Sequence, residues 1–509
     1  MTERQPEASR TELAFEAQRE EKARELRARG IDPYPYTFAG RQTVASVRER
    51  AANAGHERGT EVFRVAGRLS TIRNHGKTVF ADLQDETGRI QLYIRKNDLG
   101  DAKFSLFLEC LERGDIVGAE GPAFRTKVGE LSLWVTDVTV LAKALCSLPE
   151  KFHGLRDVEK RYRQRYVDLI VNPDVRETFR TRSRVISAIR KYLNDRGFLE
   201  FETPILQPVY GGANARPFTT FHNYLRQTLF LRIAPELYLK RLVVGGFEKV
   251  YEVARNFRNE DIDTQHNPEF TMVEIYEAYR DYTDMMALCE GLLSSVTAEI
   301  HGETTVPFGE TTLDLTPPFR RMTMDGAVRE IAGIDVWTHD LGELRTIARE
   351  KGIEEWESPR NHREMLVLLF ENLVEDELVQ PTFIHDFPVE NSPLAKKHRA
   401  REGFTERFEL FVAGMEIANG FSELNDPVDQ LSRFRLQEEK RRAGDLEAQM
   451  LDYDFINALG HGMPPTGGVG IGIDRLVMIL VNRPSIKEVI LFPQMKSGGE
   501  RRDEPGTEG

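Results

Sequence analysis

The chain has 509 residues, 40% of them hydrophobic and 30% charged, and a formal net charge of −13. That length leaves room for roughly two to four domains. No run approaches the ~20 apolar residues of a membrane span, and the N-terminus lacks the apolar core of a secretory signal and is too acidic for a mitochondrial transit peptide. The acidic balance excludes a global positive field for indiscriminate nucleic-acid binding, though not a local basic footprint. Cys110, Cys146 and Cys289 stand far apart with no CxxC. Neither a zinc cage nor a disulfide framework is indicated, and buried thiols in a reducing, cytoplasmic compartment are expected.

Residues 1–58 read as a helical extension. A charged helix over 11–29 carries a thin apolar stripe (Leu13, Phe15, Ala17, Leu26), stops at Gly30 and is followed by Pro33 and Pro35. From 59 to 148 the pattern turns to five short alternating strands with one helix near 101–112, which suits a Greek-key barrel of the OB type. Arg73, Lys77, Phe80, Arg95 and Lys127 are available there for single-stranded nucleic acid, although any barrel carries surface rings and lysines. Gly76-Lys77-Thr78 resembles the end of a phosphate-binding loop, but Thr71 stands where its first glycine belongs.

Residues 149–174 read as a basic linker, and 175–496 as a second domain. It opens with an amphipathic helix (Val185, Ile186, Ile189 and Leu193 inward, Gly197 as stop) and a strand closed by Pro204. Gly211-Gly212 follows, either a flexible turn or a close backbone approach to a small ligand. Pro235 and Glu236 open a helix that ends at Gly245-Gly246. Residues 280–380 are mostly helical, with an insertion expected at about 318–380. The tail 497–509 reads as disordered.

Three stretches carry chemistry. In FRNE…HNPEFTMVEIY, strand parity puts Arg258 and Glu260 on one face of the first run, and Phe270, Glu274 and Tyr276 likewise share a face of the return run, which describes either a charged surface hairpin or half of a ligand site. In FELFVAGMEIANGFSEL, a tight reversal near Val412–Ala413 would set Glu409 directly opposite Glu416, destabilising unless a cation lies between them. Two hard oxygen ligands, with phosphate and water completing the shell, suit Mg²⁺; with the turn elsewhere the acids face apart. Asn419, Phe421 and Glu423 share parity on the outgoing strand. In GGVGIGIDRL a strand passes into a helix, and Arg475 sits where a cation opposes the helix dipole, calling for an anion, a π-surface or a neighbouring acid. Two arginines, paired acids and a ring describe a nucleoside triphosphate site that works by positioning and charge neutralisation.

At these residues the chain resembles the class II aminoacyl-tRNA synthetases, within them the bacterial-type lysyl-tRNA synthetases. ETFRTRSRVISAIRKYLNDRGFLEFETP is similar to motif 1, FRNE…HNPEFT to motif 2 and GGVGIGIDRL to motif 3, and RIAPELYLKRLVVGGFEKVYE, GGANARPF, NGFSELNDP and VILFP add to the match. The resemblance covers about residues 55–495. It implies an α+β protein: an OB-fold anticodon-binding barrel followed by a class II catalytic domain, an antiparallel sheet flanked by helices. The implied reaction is ATP-dependent activation of L-lysine and its transfer to tRNA-Lys by a homodimer with Mg²⁺. Arg258 and Arg475 would be catalytic and bind ATP with Glu260, His266, Asn267 and Phe270; Phe270 would stack on adenine, with Arg475 on its other side. Glu409 and Glu416 would hold Mg²⁺. Gly212, Glu236, Glu274, Tyr276, Asn419, Phe421 and Glu423 would bind lysine, and Arg73, Phe80, Gln91 and Glu130 would read the anticodon. Aspartyl- and asparaginyl-tRNA synthetases share the motifs, but an acidic substrate is disfavoured beside Glu423. A relative that lysylates a protein resembles the catalytic half alone.

Overall fold

The computed structural model describes residues 14–149, 155 and 157–496. The chain divides at Arg156/Asp157 into two units.

In the first unit, alternation builds a barrel. Strands β1 (Val62–Asn74), β2 (Thr78–Gln84), β3 (Arg89–Arg95), β4 (Ile116–Arg125), β5 (Leu131–Val135) and β6 (Asp137–Ala142) pair in the order β1-β2-β3-β5-β4-β6, and β1 also pairs with β4 to close it. Only Thr136 separates β5 from β6, so they form one interrupted strand and the barrel has the expected five. Val79, Ala81 and Leu83 of β2, Ile90, Leu92 and Ile94 of β3, and Leu131, Leu133 and Val135 of β5 fill the core, leaving the residues between them on the sheet's other face. Gly121 (φ +158°) lets β4 pass so close to β5 that a Cβ there would overlap the Trp134 carbonyl. The helix Ala17–Ala28 buries Arg19, Ala23 and Leu26. That corrects the expected stripe: Phe15 and Ala17 are exposed, and Leu13 lies outside the described residues. The Arg19 guanidinium donates to the carbonyls of Arg113 and Ala144 at 3.4 and 3.3 Å, which makes a charged residue the buried one.

In the second unit, Val158–Arg163 and Arg165–Val171 are helices, where a connection was expected. Arg165 is buried in an ion pair with Asp168 at 2.7 Å and donates to the carbonyls of Leu491 and Lys487 at 3.1 and 2.8 Å. After the long helix Pro173–Asn194 come β7 (Leu199–Glu200), β8 (Leu206–Gln207), β9 (Thr219–His222), β10 (Gln227–Leu231), β11 (Lys249–Phe257), β12 (Glu269–Ala278), β13 (Thr305–Phe308), β14 (Thr311–Asp314), β15 (Arg320–Thr323), β16 (Thr382–Pro388), β17 (Phe404–Val412), β18 (Met415–Ser422) and β19 (Thr466–Gly472). Eight of these form one sheet in the order β15-β16-β17-β18-β19-β12-β11-β7, antiparallel except at its two outermost pairings. One face packs against the helices Pro173–Asn194, Tyr282–His301 and Ile473–Leu480 in the main core. The segment from Met322 to Leu378 builds a separate cluster on Ile384, Phe404 and Phe411, whereas Tyr282–His301 belongs to the main core. The residues of the expected disordered tail lie outside the described ones. Among the described residues, no helix is long and apolar enough to cross a membrane.

Candidate active site

The sheet's other face carries polar side chains because alternation assigns them there. On β12, Val273 and Ile275 enter the core while Phe270, Met272, Glu274 and Tyr276 face a cavity of about 390 Å³. On β19, Val469 and Ile471 are core residues, and Gly468, Gly470 and Gly472 give the cavity a floor without side chains. All the residues assigned above to ATP, lysine and Mg²⁺ line this cavity, Gly212 and Glu236 from outside the main sheet.

At one end lies the loop between β11 and β12. The sheet strand ends at Phe257, so Arg258 and Glu260 stand on the loop and do not share a strand face. The Arg258 amide donates to the Pro268 carbonyl at 2.9 Å, closing the loop's neck. Its guanidinium carbon sits 5.0 Å from the centre of the Phe270 ring, and its buried Nε has no hydrogen-bond partner among the described residues. Asp263 accepts from the amides of Gln265 and His266 at 2.6 and 2.7 Å, and Asn267 donates to the Glu269 carbonyl at 2.6 Å. Arg475, in the first turn of the helix Ile473–Leu480, donates to the Glu416 carbonyl at 2.7 Å, lies 3.9 Å from its carboxylate and meets His266 Nε2 at 3.1 Å. The cation that opposes the helix dipole is thus balanced in part by an acid, and Asp474 beside it pairs with Arg182 at 2.6 Å.

The expected pairing of Glu409 with Glu416 is replaced. Ala413 (φ 55°) and Gly414 (φ 69°) form a two-residue reversal with both backbones left-handed, so Phe411 opposes Glu416 and Glu409 opposes Asn419. An extra residue, Ile417, bulges β18 between these pairs and changes its parity. Glu416, Asn419, Phe421 and Glu423 therefore all reach the cavity. Asn419 donates to Glu409 at 3.0 Å, and Arg407 bonds to both. Burial and then the Glu416 charge push the Glu409 carboxyl up to about 8, so a bound cation would relieve this pair. Among the described residues, no group of three or more His, Cys, Asp and Glu side chains is arranged for a metal. Two carboxylate oxygens fit Mg²⁺ when phosphate and water supply the remaining positions.

The opposite end is a buried acidic pocket. Glu236, Glu274 and Glu423 are buried, and the Tyr276 hydroxyl donates to Glu274 at 2.9 Å. Burial, then the Glu236 charge, pushes the Glu274 carboxyl up to about 8. Burial raises Glu423 well above the carboxylate range, opposed by Lys240. Lys240, not singled out in the sequence, bonds to both Glu236 and Glu423. The signal was present: four residues after Glu236 on one helix, it shares that face.

On the barrel, Arg73 faces Phe80 across β1 and β2, and Asp82 faces Gln91 across β2 and β3. Ser132 donates to Gln91 at 2.9 Å and lies 3.4 Å from the Glu130 carbonyl, drawing those two together. Phe80 and Tyr93 have ring centres 5.1 Å apart, and Tyr93 and Trp134 4.9 Å, in a row of rings suited to stacking bases.

Residues 157–496 match the family "tRNA synthetases class II (D, K and N)", and residues 63–141 match "OB-fold nucleic acid binding domain". The chain belongs to the class II tRNA synthetases of that group. It is similar to the lysine--tRNA ligase of Methanospirillum hungatei, 64% identical over 484 residues, 95% of this chain and 96% of the relative. The lysine--tRNA ligase of Methanoculleus marisnigri is 62% identical, covering 95% of each chain. That of Halalkalibacterium halodurans is 51% identical over 97% of this chain and 98% of its own.

Proposed function

We propose that the chain is a lysine–tRNA ligase that joins L-lysine to the terminal adenosine of tRNA-Lys at the expense of ATP. The observation that carries this is the buried pocket of Glu236, Glu274 and Glu423 at one end of a cavity whose other end holds Arg258, Arg475, Glu409 and Glu416. A carboxylate-lined pocket selects ammonium groups, because a neutral side chain leaves a buried charge unpaired.

In the first step a lysine carboxylate oxygen bonds to the α-phosphorus of ATP as the bond to the departing pyrophosphate breaks. Arg258 meets the α-phosphate and the lysine carboxylate, Phe270 stacks on adenine, and Arg475 takes the far phosphate. Glu260, His266 and Asn267 frame the nucleotide. Glu409 and Glu416 would hold Mg²⁺, which when bound neutralises phosphate charge. Gly212 and Glu236 take the α-ammonium. Glu423, Tyr276 and Glu274 take the ε-ammonium, with Asn419 and Phe421 as walls. In the second step the adenosine 3′-hydroxyl attacks the lysyl carbonyl and AMP leaves. Arg73, Phe80, Gln91 and Glu130 read the anticodon. A homodimer is supported by exposed apolar residues on the motif 1 strand and in the segment that follows it: Leu199, Ile205, Leu206 and Phe221, at 51, 42, 48 and 57% exposure. The enzyme works in the cytoplasm.

Lysine-dependent ATP–pyrophosphate exchange is the deciding assay: exchange with lysine and not with asparagine or aspartate is expected, and its absence sinks the reading. Charging of tRNA-Lys in preference to a protein acceptor excludes protein lysylation. Lysine binding near pH 7 should also release about one proton, because the Glu274 carboxyl, held at about 8, ionises beside an incoming ammonium. Calorimetry in two buffers of different ionisation heat measures the release, which should fade by pH 9; equal heats in both buffers at pH 7 contradict it.

A further inference from the structure

Lys240 has no exposed surface, and its ammonium bonds at once to Glu236 and Glu423, two carboxylates on separate segments that both line the cavity. The Phe421 ring centre lies 5.2 Å from its nitrogen. Glu274 and Tyr276 approach from β12. The other charges facing this group are already engaged: Glu252 pairs with Arg232 at 2.6 Å, and Arg407 bonds Glu409 and Asn419. Three carboxyls therefore share one internal ammonium: with Glu274 protonated in the empty pocket near pH 7 they exceed it by one charge, and fully ionised they exceed it by two. Neighbouring buried acids drive one another towards the neutral form, and a protonated carboxyl accepts an ammonium poorly. Something must keep Glu236 and Glu423 ionised before substrate arrives.

We propose that Lys240 is a positioning and specificity residue for the amino-acid substrate: it clamps Glu236 and Glu423 together and leaves the three-carboxylate pocket, once fully ionised, short of two positive charges, so that a diamino acid completes it. The role rests on the cavity being the lysine site. An amino acid with a single ammonium leaves one buried carboxylate uncompensated. Lys240 touches neither ATP nor the reacting atoms; it acts through the two glutamates.

The test is lysine-dependent ATP–pyrophosphate exchange by the full-length K240M and K240Q variants from pH 6.5 to 9, with KM for lysine and for ATP measured separately. Losing the internal ammonium drives both carboxyls further towards the neutral form, so KM for lysine at pH 7 should rise about 10- to 100-fold. KM for ATP should stay within about threefold, since no nucleotide contact changes. The lysine defect should shrink as pH rises, because hydroxide then ionises what Lys240 no longer does. K240Q is close to lysine in length and separates charge from packing: it should show the same pH-dependent defect. A defect constant across pH, an equal rise in KM for ATP, or a K240Q enzyme like the wild type in whichever variant folds overturns the proposal. Wild-type exchange that does not depend on lysine instead overturns the functional reading itself.

Discussion

Replacing Arg258 with alanine is expected to lower kcat for lysine-dependent ATP–pyrophosphate exchange by about 10²–10³-fold, the range seen when one preorganised charge-stabilising donor is removed. The structure gives the reason. Arg258 stands where β11 has ended, and its backbone bond to Pro268 fixes the loop without using the guanidinium. The guanidinium lies over Phe270 with its buried Nε unpartnered among the described residues. An N–H held out of water without an acceptor is costly in the empty protein, and an incoming phosphate or carboxylate oxygen satisfies it. The interaction is therefore strongest when negative charge gathers at phosphorus. R258K should recover little of the loss, because a point charge reproduces neither the fork nor the stacking. Folding stability, followed by thermal melting, should not fall. A loss of less than about tenfold in steady-state exchange would assign the charge stabilisation elsewhere.

The parts of the molecule that were legible in sequence are those where period-two alternation decides the outcome. In β12, parity alone puts Phe270, Glu274 and Tyr276 together and Val273 and Ile275 in the core. The barrel strands read the same way. Register was another matter. Spacing between Glu409 and Glu416 is compatible with several hairpins, and choosing among them needs the left-handed conformations of Ala413 and Gly414 and the bulge at Ile417. The two glutamates reach one cavity by a parity change that no spacing rule contains. Composition misled where charge is buried: Arg19 and Arg165 look like surface residues in sequence, and each is held inside by carbonyls distant in the chain. Lys240 escaped notice for the same reason. A lysine on a helix reads as solvated until two buried acids are found against it.

Glu423→Gln tests the other end of the cavity, and its effect on substrate choice should be the largest of any single change. The substitution keeps shape and removes charge. Glu423 is fixed from two sides: Lys240 bonds it, and Gly468 beneath it has no room for a side chain, since a Cβ there would overlap Glu423 Oε1 and stand 2.6 Å from Tyr276 Cε1. The neutral amide cannot move away to let another arrangement form, and it presents N–H donors where an ammonium needs acceptors. Breaking a buried ion pair by removing one partner costs about 3–5 kcal/mol, so kcat/KM for lysine should fall by about 10²–10³-fold or more. KM for ATP should change little. Asparagine and aspartate should not become substrates, because Glu236 and Glu274 still leave the pocket acidic. A variant that exchanges normally with lysine would place the ε-ammonium elsewhere, and one that accepts asparagine would make Glu423 the sole determinant. The expected result, loss of lysine without gain of a neutral substrate, follows only if selection is shared by the three carboxylates and the ammonium that holds two of them.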